Sequence, residues 1–359
     1  MSNTKSGHIY VISEKEHQSG KNSDLVKIGK VGDPRTPEER LREHQTGNPR
    51  QLAIAARYEC VDVSHAEALV HSRSAGSRVN GEWFRTDCGD LANSFRDSIE
   101  LAVRESDRIA KLTAQTDDLK RQKSDGKLRK AKDAELEKKA ELDDYELNIR
   151  SLQTAQKKIE IELGVLAISA SGIEGVANWG IGKPSKKYLH SKLEGADPSL
   201  YTQLTETSIS GTFRLKSLDK TSLEKPPKLV YPKNLEELIQ SNEQADRDER
   251  STHLHLEHLE NHAALSQIKT IRDQLRLELM IMVGDSDGVA EVAKWIREEK
   301  DHPIRDAGKI VSAKSEELFF KCQTTTSPSS SFHVNPFRPY AFDLSRLIGE
   351  RQKALSGKG

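Results

Sequence analysis

Alternating apolar and polar positions in the first hundred residues predict a small sheet. The runs "GHIYVI" (7–12) and "DLVKIGKV" (24–31) are rich in β-branched residues, and a polar segment with turn-forming residues separates them. Two short strands joined in this way indicate an antiparallel pair. "QLAIAARYECVDV" (51–63) also alternates and predicts a third strand. We therefore expect an α+β fold that begins with a small α/β domain at residues 1–95, containing a three-stranded antiparallel sheet.

Two helices are predicted between and after these strands. The first starts at Thr36, which is a good N-cap, with Pro37 at the first helical position and Glu39 placed to complete a capping box. The second helix lies in "SHAEALVHSRSAG" (64–76) and is expected to be capped by Ser64.

Apolar positions recur at alternating three- and four-residue spacings in a long helical stretch further along the chain. They are Leu142, Tyr145, Ile149, Leu152, Ile159, Leu163 and Leu166, with the polar Gln156 among them. This spacing predicts a coiled-coil seam. A shift of 116 residues maps the seam from Ile149 onward to Leu265, Ile268, Arg272, Leu275, Leu279 and Met282.

The same shift relates the segments that follow the seam, because "SGIEGVANW" (171–179) aligns with "DGVAEVAKW" (287–295). We interpret the two correspondences as an internal duplication. Each unit is predicted to be a long helix, a short turn and a second helix, N-capped by Ser171 or Asp287, that folds back on the seam. The units can pair with each other in one chain, or with their copies in a second chain, which predicts a homo-oligomer, most simply a dimer, held by the coiled coil.

This pattern divides the chain into five parts. The domain at 1–95 is followed by a first repeat unit at 96–180, a basic linker at 181–235 and a second repeat unit at 236–322. Residues 323–359 are expected to form a loop and then a C-terminal helix.

Composition restricts where nucleic acid could bind. The 359 residues include 56 Lys+Arg and 56 Asp+Glu, with a mean hydropathy of −0.70, so no global basic field is present. The segment 120–139 has a local excess of nine Lys/Arg over four Asp/Glu. Lys120, Arg121 and Lys123 in this segment are candidate contacts for a phosphate backbone, or else form a solvated helix face.

Nothing in the sequence indicates a membrane. The N-terminus lacks a signal pattern, and no apolar run approaches the roughly 20 residues that span a bilayer. The three cysteines lie far apart without CxxC spacing, which fits a reducing compartment. We therefore expect a cytoplasmic protein without a membrane partner.

Candidate chemistry lies in pairs of residues that are four apart on the predicted helices. Arg40 and His44 share one face of the first helix, and Glu67 and His71 share one face of the second. Ordinary interpretations stand beside a catalytic one. Arg40 can pair with a neighbouring glutamate on its own helix, and Glu67 can complete a capping box with Ser64.

The segment "HLHLEHLENH" (253–262) places His258 and His262 at a spacing that metal ligands use on a helix, with His255 nearby. No third ligand stands in a defined frame with them, so we favour a solvated helix.

The order of these elements resembles the GIY-YIG nuclease superfamily, in particular its phage-type DNA-binding branch. The resemblance covers about residues 7–87. The matching segments are His8-Ile9-Tyr10, Lys27-Ile28-Gly29, "ERLREH" with Arg40 and His44, "AEALVH" with Glu67, and a closing "GEWF". Lys27 stands where the family has a tyrosine.

This resemblance implies a metal-dependent DNA endonuclease, in a phage or anti-phage setting, whose helical region dimerises and places the catalytic domain on DNA. Glu67 would hold a single Mg²⁺ (or Mn²⁺), Arg40 would bind the scissile phosphate, and Tyr10 with His44 would orient or deprotonate the water. Lys27 would contact phosphate or act as a base.

Arg42 and His71 would add contacts to nucleic acid. The alternative is a non-cleaving nucleic-acid-binding or assembly protein with a degenerate GIY-YIG domain. A pure coiled-coil scaffold is a third interpretation, and it predicts no salt-sensitive binding of DNA.

Overall fold

The computed structural model describes residues 5–15, 22–46, 48, 50–86, 95–123, 126–218 and 227–341. Ten α-helices and fourteen strands lie within these residues, and nearly all strand pairs are antiparallel, so the predicted α+β class is confirmed. We call residues 5–86 the head and residues 126–341 the body. A 25-residue helix between them, α3 (Arg96–Lys120), packs on both.

The head contains a five-stranded sheet with the order β3-β1-β2-β5-β4. Its strands are β1 (Gly7–Lys15), β2 (Asn22–Gly32), β3 (Gln51–Cys60), β4 (Arg78–Asn80) and β5 (Trp83–Arg85). The three predicted strands are present, but the prediction of a three-stranded sheet is wrong. Strands β4 and β5 have three residues each, too few to show an alternating pattern; β5 pairs with the edge of β2, and β4 pairs with β5.

The two faces of this sheet are covered by different helices. Helices α2 (Val63–Arg73) and α3 cover the face that bears Ile9 and Ile28. Helix α1 (Pro37–Gln45) covers the opposite face, where Tyr10 is buried. α1 begins with the predicted capping box of Thr36 and Glu39.

The N-cap of α2 differs from the prediction. Asp62 caps the helix by accepting a hydrogen bond from the His65 amide at 3.1 Å, and Ser64 lies inside the first turn. The sequence predicts Ser64 as the cap, and Glu67, three residues later, could have completed a capping box with it. Strand β3 ends at Cys60, and α2 begins two residues earlier than a cap at Ser64 would allow, so Asp62 is the N-cap.

Two long helices form the centre of the body. α4 (Asp133–Leu166) and α8 (Glu249–Val283) pack antiparallel, because Lys138 pairs with Glu278 at 2.9 Å while Gln156 contacts His258 at 3.1 Å. Leu142, Leu163 and Leu279 of the seam are completely buried within this single chain, whereas Leu166 at the end of α4 is 39% exposed.

Strands follow both long helices, so the predicted second helices are wrong. β7 (Gly172–Ile173) and β8 (Ala177–Ile181) form one hairpin, and β11 (Gly288–Val289) pairs with β12 (Ala293–Pro303) in the other. The glycines explain this. A Cβ on Gly172 would lie 2.3 Å from the Ala177 carbonyl oxygen, and one on Gly288 would lie 2.5 Å from that of Ala293, so only glycine permits these close strand pairs.

The predicted basic linker and much of the predicted C-terminal loop are also structured. The segment 181–235 contains β9 (Ser185–Tyr188), α5 (Ser191–Ala196), α6 (Pro198–Gln203) and β10 (Thr205–Leu215). The remaining elements are β6 (Leu128–Arg129), α7 (Leu235–Ser241), α9 (Ala307–Lys314), α10 (Glu316–Lys321), β13 (Gln323–Thr326) and β14 (Ser330–Val334). The strands among these elements were not predicted, because their Lys-, Ser- and Thr-rich composition is typical of loops and each strand pairs with a partner far away in the sequence.

The body strands form three small sheets, with the orders β10-β12-β11-β6, β14-β8-β7 and β13-β9. The C-terminal helix predicted after residue 341 lies outside the described residues. Among the described helices, none is both long enough and apolar enough to cross a bilayer.

Candidate functional site

The candidate site lies in a notch at the edge of β2. The pairing of β2 with β5 ends at Lys27, and the Ile28 amide donates the last hydrogen bond across this edge to the Glu82 carbonyl oxygen at 2.9 Å. The next residues of β2, Gly29 to Val31, have no strand partner on this side in the described part of the head. Side chains from α1 reach the notch on one face of the sheet and side chains from α2 on the other.

Tyr10 lies at the floor of this notch with Arg40 and His44 above it. The Tyr10 hydroxyl is 3.2 Å from His44 Nε2, and the Arg40 guanidinium lies close enough to the phenol to lower its pKa. Arg40 and His44 are one turn apart on α1, so both reach the same phenol. Arg40 also forms an ion pair with Glu43, and 29% of its side chain is exposed, which leaves it able to contact a ligand.

Burial shifts the pKa values of Tyr10 and His44 in opposite directions. It raises the pKa of Tyr10, and the Arg40 guanidinium only partly offsets it. Burial lowers the pKa of His44, and the positive charges of Lys27 and Arg40 add to the effect. His44 is therefore neutral at neutral pH, and its Nε2 can accept the proton of the Tyr10 hydroxyl.

Lys27 is held by an ion pair with Glu82 from the β4–β5 turn, and only 11% of its side chain is exposed. Burial of Glu82 opposes its charged form, but the hydrogen bond and charge of Lys27, with the charges of His71 and His44, outweigh it and lower the Glu82 pKa. The Glu82 carboxylate thus fixes the Lys27 ammonium beside the notch.

Glu67 is free of the capping role that its sequence position allowed, because Asp62 caps α2. Its carboxylate pairs with the Lys30 ammonium at 3.0 Å, and Lys30 also donates to the Ser64 hydroxyl at 3.3 Å. Only 14% of the Glu67 side chain is exposed.

His71 and Arg78 complete the α2 side of the notch. His71 Nε2 donates to the Ile28 carbonyl oxygen at 2.9 Å, and burial lowers its pKa. Burial also lowers the pKa of Arg78, against the opposing charges of Glu82 and Glu67. Reasoning from sequence missed Lys30, Arg78 and Glu82. Glu82 lies in the "GEWF" motif, which could have pointed to it, whereas Lys30 and Arg78 have no comparable signal.

The predicted nucleic-acid contacts divide into two groups. Arg42 is exposed on α1, and His71 lies at the notch, where the charges of Glu67 and Glu82 act on it. Lys120 is the last residue of α3, which is about 37 Å long at 1.5 Å per residue, and it lies against Gly211 of β10 in the body. Arg121 and Lys123 follow it and are exposed. The structure does not bring these three residues to the notch.

The α8 histidines are bonded rather than solvated, which corrects the interpretation from sequence. His255 contacts Tyr340, His258 contacts Gln156, and His262 Nδ1 lies 3.2 Å from the Ser72 hydroxyl of the head. Across the described ranges, no group of three or more His, Cys, Asp or Glu side chains is arranged to hold a metal ion.

Residues 7–114 match the family model of the T5orf172 domain. The match covers the head and most of α3, and the body lies outside it. Neither the curated proteins nor the solved structures include a match to the chain.

Proposed function

We propose that the head is a metal-dependent DNA endonuclease of the GIY-YIG type that hydrolyses phosphodiester bonds. One observation carries the proposal: Tyr10, Lys27, Arg40, His44 and Glu67, chosen from the sequence, surround one notch at the open edge of β2. The T5orf172 match supports a phage or anti-phage setting.

The hydrogen bonds support a defined path for the proton of the attacking water. The water oxygen bonds to phosphorus, and its proton passes to the Tyr10 oxygen as Tyr10 gives its own proton to His44 Nε2. The bond between phosphorus and the leaving oxygen then breaks. Because its pKa is raised, Tyr10 stays protonated and can accept a proton from water only while it gives its own proton away, and the neutral His44 is the group that takes it.

Two cations face the phosphate in this scheme. Arg40 contacts Tyr10 and still has exposed surface, so it can stabilise the charge that develops on the phosphate oxygens. Lys27 is anchored by Glu82, and we assign it a phosphate contact rather than the role of a base, because its ammonium forms an ion pair with a carboxylate beside the notch.

Glu67 fits a divalent cation of the Mg²⁺ or Mn²⁺ type. Such ions bind through one or two protein carboxylates and take their other ligands from water and phosphate oxygens, which suits a single carboxylate at a notch. The ion, when bound, would polarise the phosphate and stabilise the leaving oxyanion. Lys30 has to release Glu67 for this, and its ammonium can then contact DNA.

The DNA contacts that we propose extend from this notch. Arg42 and His71 flank it, and the exposed Arg121 and Lys123 with Lys120 form a second basic group on the body side of α3. Binding through these residues should weaken as salt is raised.

Cleavage of plasmid DNA with Mg²⁺ or Mn²⁺ tests the proposal. We expect the wild-type protein to cleave, and Glu67→Gln and Arg40→Ala each to lose cleavage while retaining the fold. Glu100→Gln on the exposed side of α3 is the matched control and should cleave like wild type. Salt-sensitive binding without cleavage in any of these metals would instead favour a non-cleaving nucleic-acid-binding protein.

We also infer that the body is an internal duplication whose two copies pair within one chain. Pairs of hydrogen bonds support it, because the residues of one bond stand 116 positions away from the corresponding residues of the other. Glu174 N donates to the Ala245 carbonyl oxygen at 3.0 Å, and Ala290 N to that of Arg129 at 2.9 Å. The two tryptophans, Trp179 and Trp295, likewise donate from equivalent amides to the carbonyl oxygens of Ser171 and Asp287 at 3.0 and 2.8 Å.

Strand pairing extends this correspondence beyond the segments recognised in the sequence. Phe332 of β14 lies opposite Trp179, and Phe213 of β10 lies opposite Trp295. β10 follows the first long helix, α4, but pairs with the hairpin that follows α8. β14 follows α8 but pairs with the hairpin that follows α4. The two units thus exchange strands. The pairing that the seam predicts is satisfied inside the chain, so we expect a monomer where the sequence suggested a coiled-coil dimer.

A protease site inserted into the segment 219–226, between the two units, tests this arrangement. We expect the cut chain to keep the mass of an uncut monomer by light scattering, because both fragments contribute strands to each other's sheets. Separation of the fragments in native buffer, or a dimeric mass before cutting, would refute it.

A further inference from the structure

A short segment near the end of the described chain joins the body to the head. We call residues 335–341 the strap. The Arg338 amide donates to the Arg78 carbonyl oxygen at 2.7 Å, and Arg338 Nη1 donates to the Gly76 carbonyl oxygen at 3.0 Å. The Arg78 guanidinium lies 5.8 Å from the centre of the Phe337 ring. The strap therefore contacts the backbone at both ends of the short segment that leads into β4.

The body holds the strap firmly. His255 Nε2 donates to the Asn335 carbonyl oxygen at 2.8 Å, so the neutral ring has its lone pair on Nδ1, which accepts from the Tyr340 hydroxyl at 2.9 Å. The Arg247 guanidinium lies 4.2 Å from the centre of the Tyr340 ring. The Asn335 amide adds a hydrogen bond to the Val176 carbonyl oxygen at 2.8 Å.

Contacts continue from the strap to the notch. The Arg78 side chain donates to the Gly81 carbonyl oxygen and so closes the β4–β5 turn. The next residue, Glu82, accepts the Ile28 amide with its carbonyl oxygen and holds Lys27 with its carboxylate. A path of direct contacts thus runs from Arg338 through β4 and Glu82 to Lys27.

The β4–β5 hairpin needs this support. Each strand has three residues, β4 is the outermost strand of the sheet, and so short a hairpin is marginal on its own. The Arg338 amide supplies a hydrogen bond to the outer edge of β4, which would otherwise face solvent.

We propose that Arg338 is a positioning residue for the Lys27–Glu82 pair, so that the head acquires its active geometry only when the far end of the body is docked on it. Gly76 and Arg338 are 262 residues apart in the chain, which makes the site dependent on completion and folding of the body. The activity part of this proposal rests on the proposed endonuclease function, whereas the docking part does not.

Hydrogen exchange and cleavage together test the proposal on the full-length chain. In Arg338→Ala we expect the amides of β4, β5 and Ile28 to exchange about tenfold faster, while those of α4 and α8 keep their wild-type rates. We expect kcat for plasmid cleavage to fall by about tenfold, the effect of a small displacement of a catalytic group. Arg338→Lys keeps the positive charge and a donor that can reach the Gly76 carbonyl oxygen, so it should lie between wild type and Arg338→Ala.

A double-mutant cycle distinguishes positioning from a general loss of stability. Lys27→Ala should cost much less in the Arg338→Ala background than in wild type, because the lysine is already displaced. Arg305→Ala, at a side chain that is 94% exposed, is the control and should change neither exchange nor cleavage.

The outcomes separate this proposal from the proposed function. If wild type cleaves but the two substitutions are additive, or if exchange at β4 and β5 is unchanged in Arg338→Ala, the positioning role is refuted and the nuclease assignment stands. If wild type does not cleave, the nuclease assignment falls. Hydrogen exchange in Arg338→Ala still tests the docking: faster exchange at β4 and β5 supports a role of the strap in holding the hairpin, and unchanged exchange refutes it.

Discussion

Gly29 lies directly opposite Tyr10 in the antiparallel pair of β1 and β2, and a Cβ on Gly29 would lie 2.7 Å from the Tyr10 hydroxyl oxygen. The Tyr10 ring crosses the backbone of its neighbour at a distance that only a glycine permits. Gly29 therefore leaves room for the Tyr10 phenol, which lies beneath Arg40 and His44.

Gly29→Ala is expected to displace the Tyr10 ring. The overlap should cost about 1–3 kcal/mol of stability, as overpacking does in well-packed interiors. Cleavage should fall by about 100-fold, because the hydroxyl moves away from His44. Thermal unfolding and initial rates of plasmid cleavage measure the two effects. Gly195→Ala, where a new Cβ would meet nothing within 4 Å, is the control, and an effect of equal size there would contradict this explanation.

The pair of Tyr10 and His44 predicts the pH dependence of cleavage. His44 has to be neutral to accept the Tyr10 proton, and burial holds its pKa below the ordinary value of 6.5. Cleavage should therefore rise with pH on the acidic side of neutrality and level off by about pH 7. Tyr10→Phe should lower kcat by about 100-fold or more, whereas Tyr58→Phe on β3 should have little effect. A cleavage rate that falls as the pH is raised from acidic values to neutral, or a Tyr10→Phe variant that cleaves like wild type, would exclude the proposed path of the proton.

His255 predicts how stability depends on pH. Burial, with the positive charges of His258, Arg338 and Arg247, lowers its pKa from 6.5 to about 4. Between these values the unfolded chain binds a proton that the folded chain does not, so stability falls as pH drops below about 6.5, by up to about 3 kcal/mol near pH 4.

Urea unfolding of wild type and His255→Gln at about pH 7 and pH 5 measures this effect. The variant cannot titrate at this position, so it should lose less stability between the two pH values than wild type does. His253→Gln, at an exposed position on the same helix, should keep the wild-type dependence. Equal losses in wild type and His255→Gln would show that this histidine does not titrate as the structure indicates.

Because the seam between α4 and α8 lies within one chain, substitutions in it should lower the free energy of unfolding without changing the mass of the protein in solution. Leu163 and Leu279 occupy equivalent positions on α4 and α8, and both are completely buried. Leu163→Ala and Leu279→Ala should each destabilise the protein by about 2–5 kcal/mol without changing its mass by light scattering. Leu136→Ala on α4, where 43% of the side chain is exposed, should cost much less. Conversion of a dimer to a monomer by either buried substitution would place the seam between chains instead.

The sequence could predict the parts of the head that depend on local patterns. The three longer strands show alternation, and the capping box of Thr36 and Glu39 marks the start of α1, so Arg40 and His44 could be placed on one face of a helix. The order of motifs then suggested Tyr10 and Glu67 as partners. Strands β4 and β5 were missed because three residues are too few for a pattern and because β5, which holds β4, pairs with a strand much earlier in the chain, β2.

The body shows where local reasoning fails. The nine-residue segment that ends in Trp179 places apolar residues at spacings that suit a helix or a hairpin. The sequence predicts a helix that is N-capped by Ser171 and packs its Val-Ala-x-Trp face on the seam. The close approach of Gly172 to the Ala177 carbonyl oxygen selects the hairpin, and a sequence pattern does not contain that distance.

By itself, the sequence determined the α+β class, the placement of Tyr10, Arg40, His44 and Glu67 on their strand and helices, and the similarity between two segments of the body, because each of these rests on spacing along the chain. Only the tertiary structure decided that Glu82 holds Lys27, that Asp62 rather than Ser64 caps α2, and that Arg338 reaches the head. The physical reason is the same throughout. These contacts depend on where the chain turns and on which distant segments meet, and neither leaves a periodic signal in the sequence.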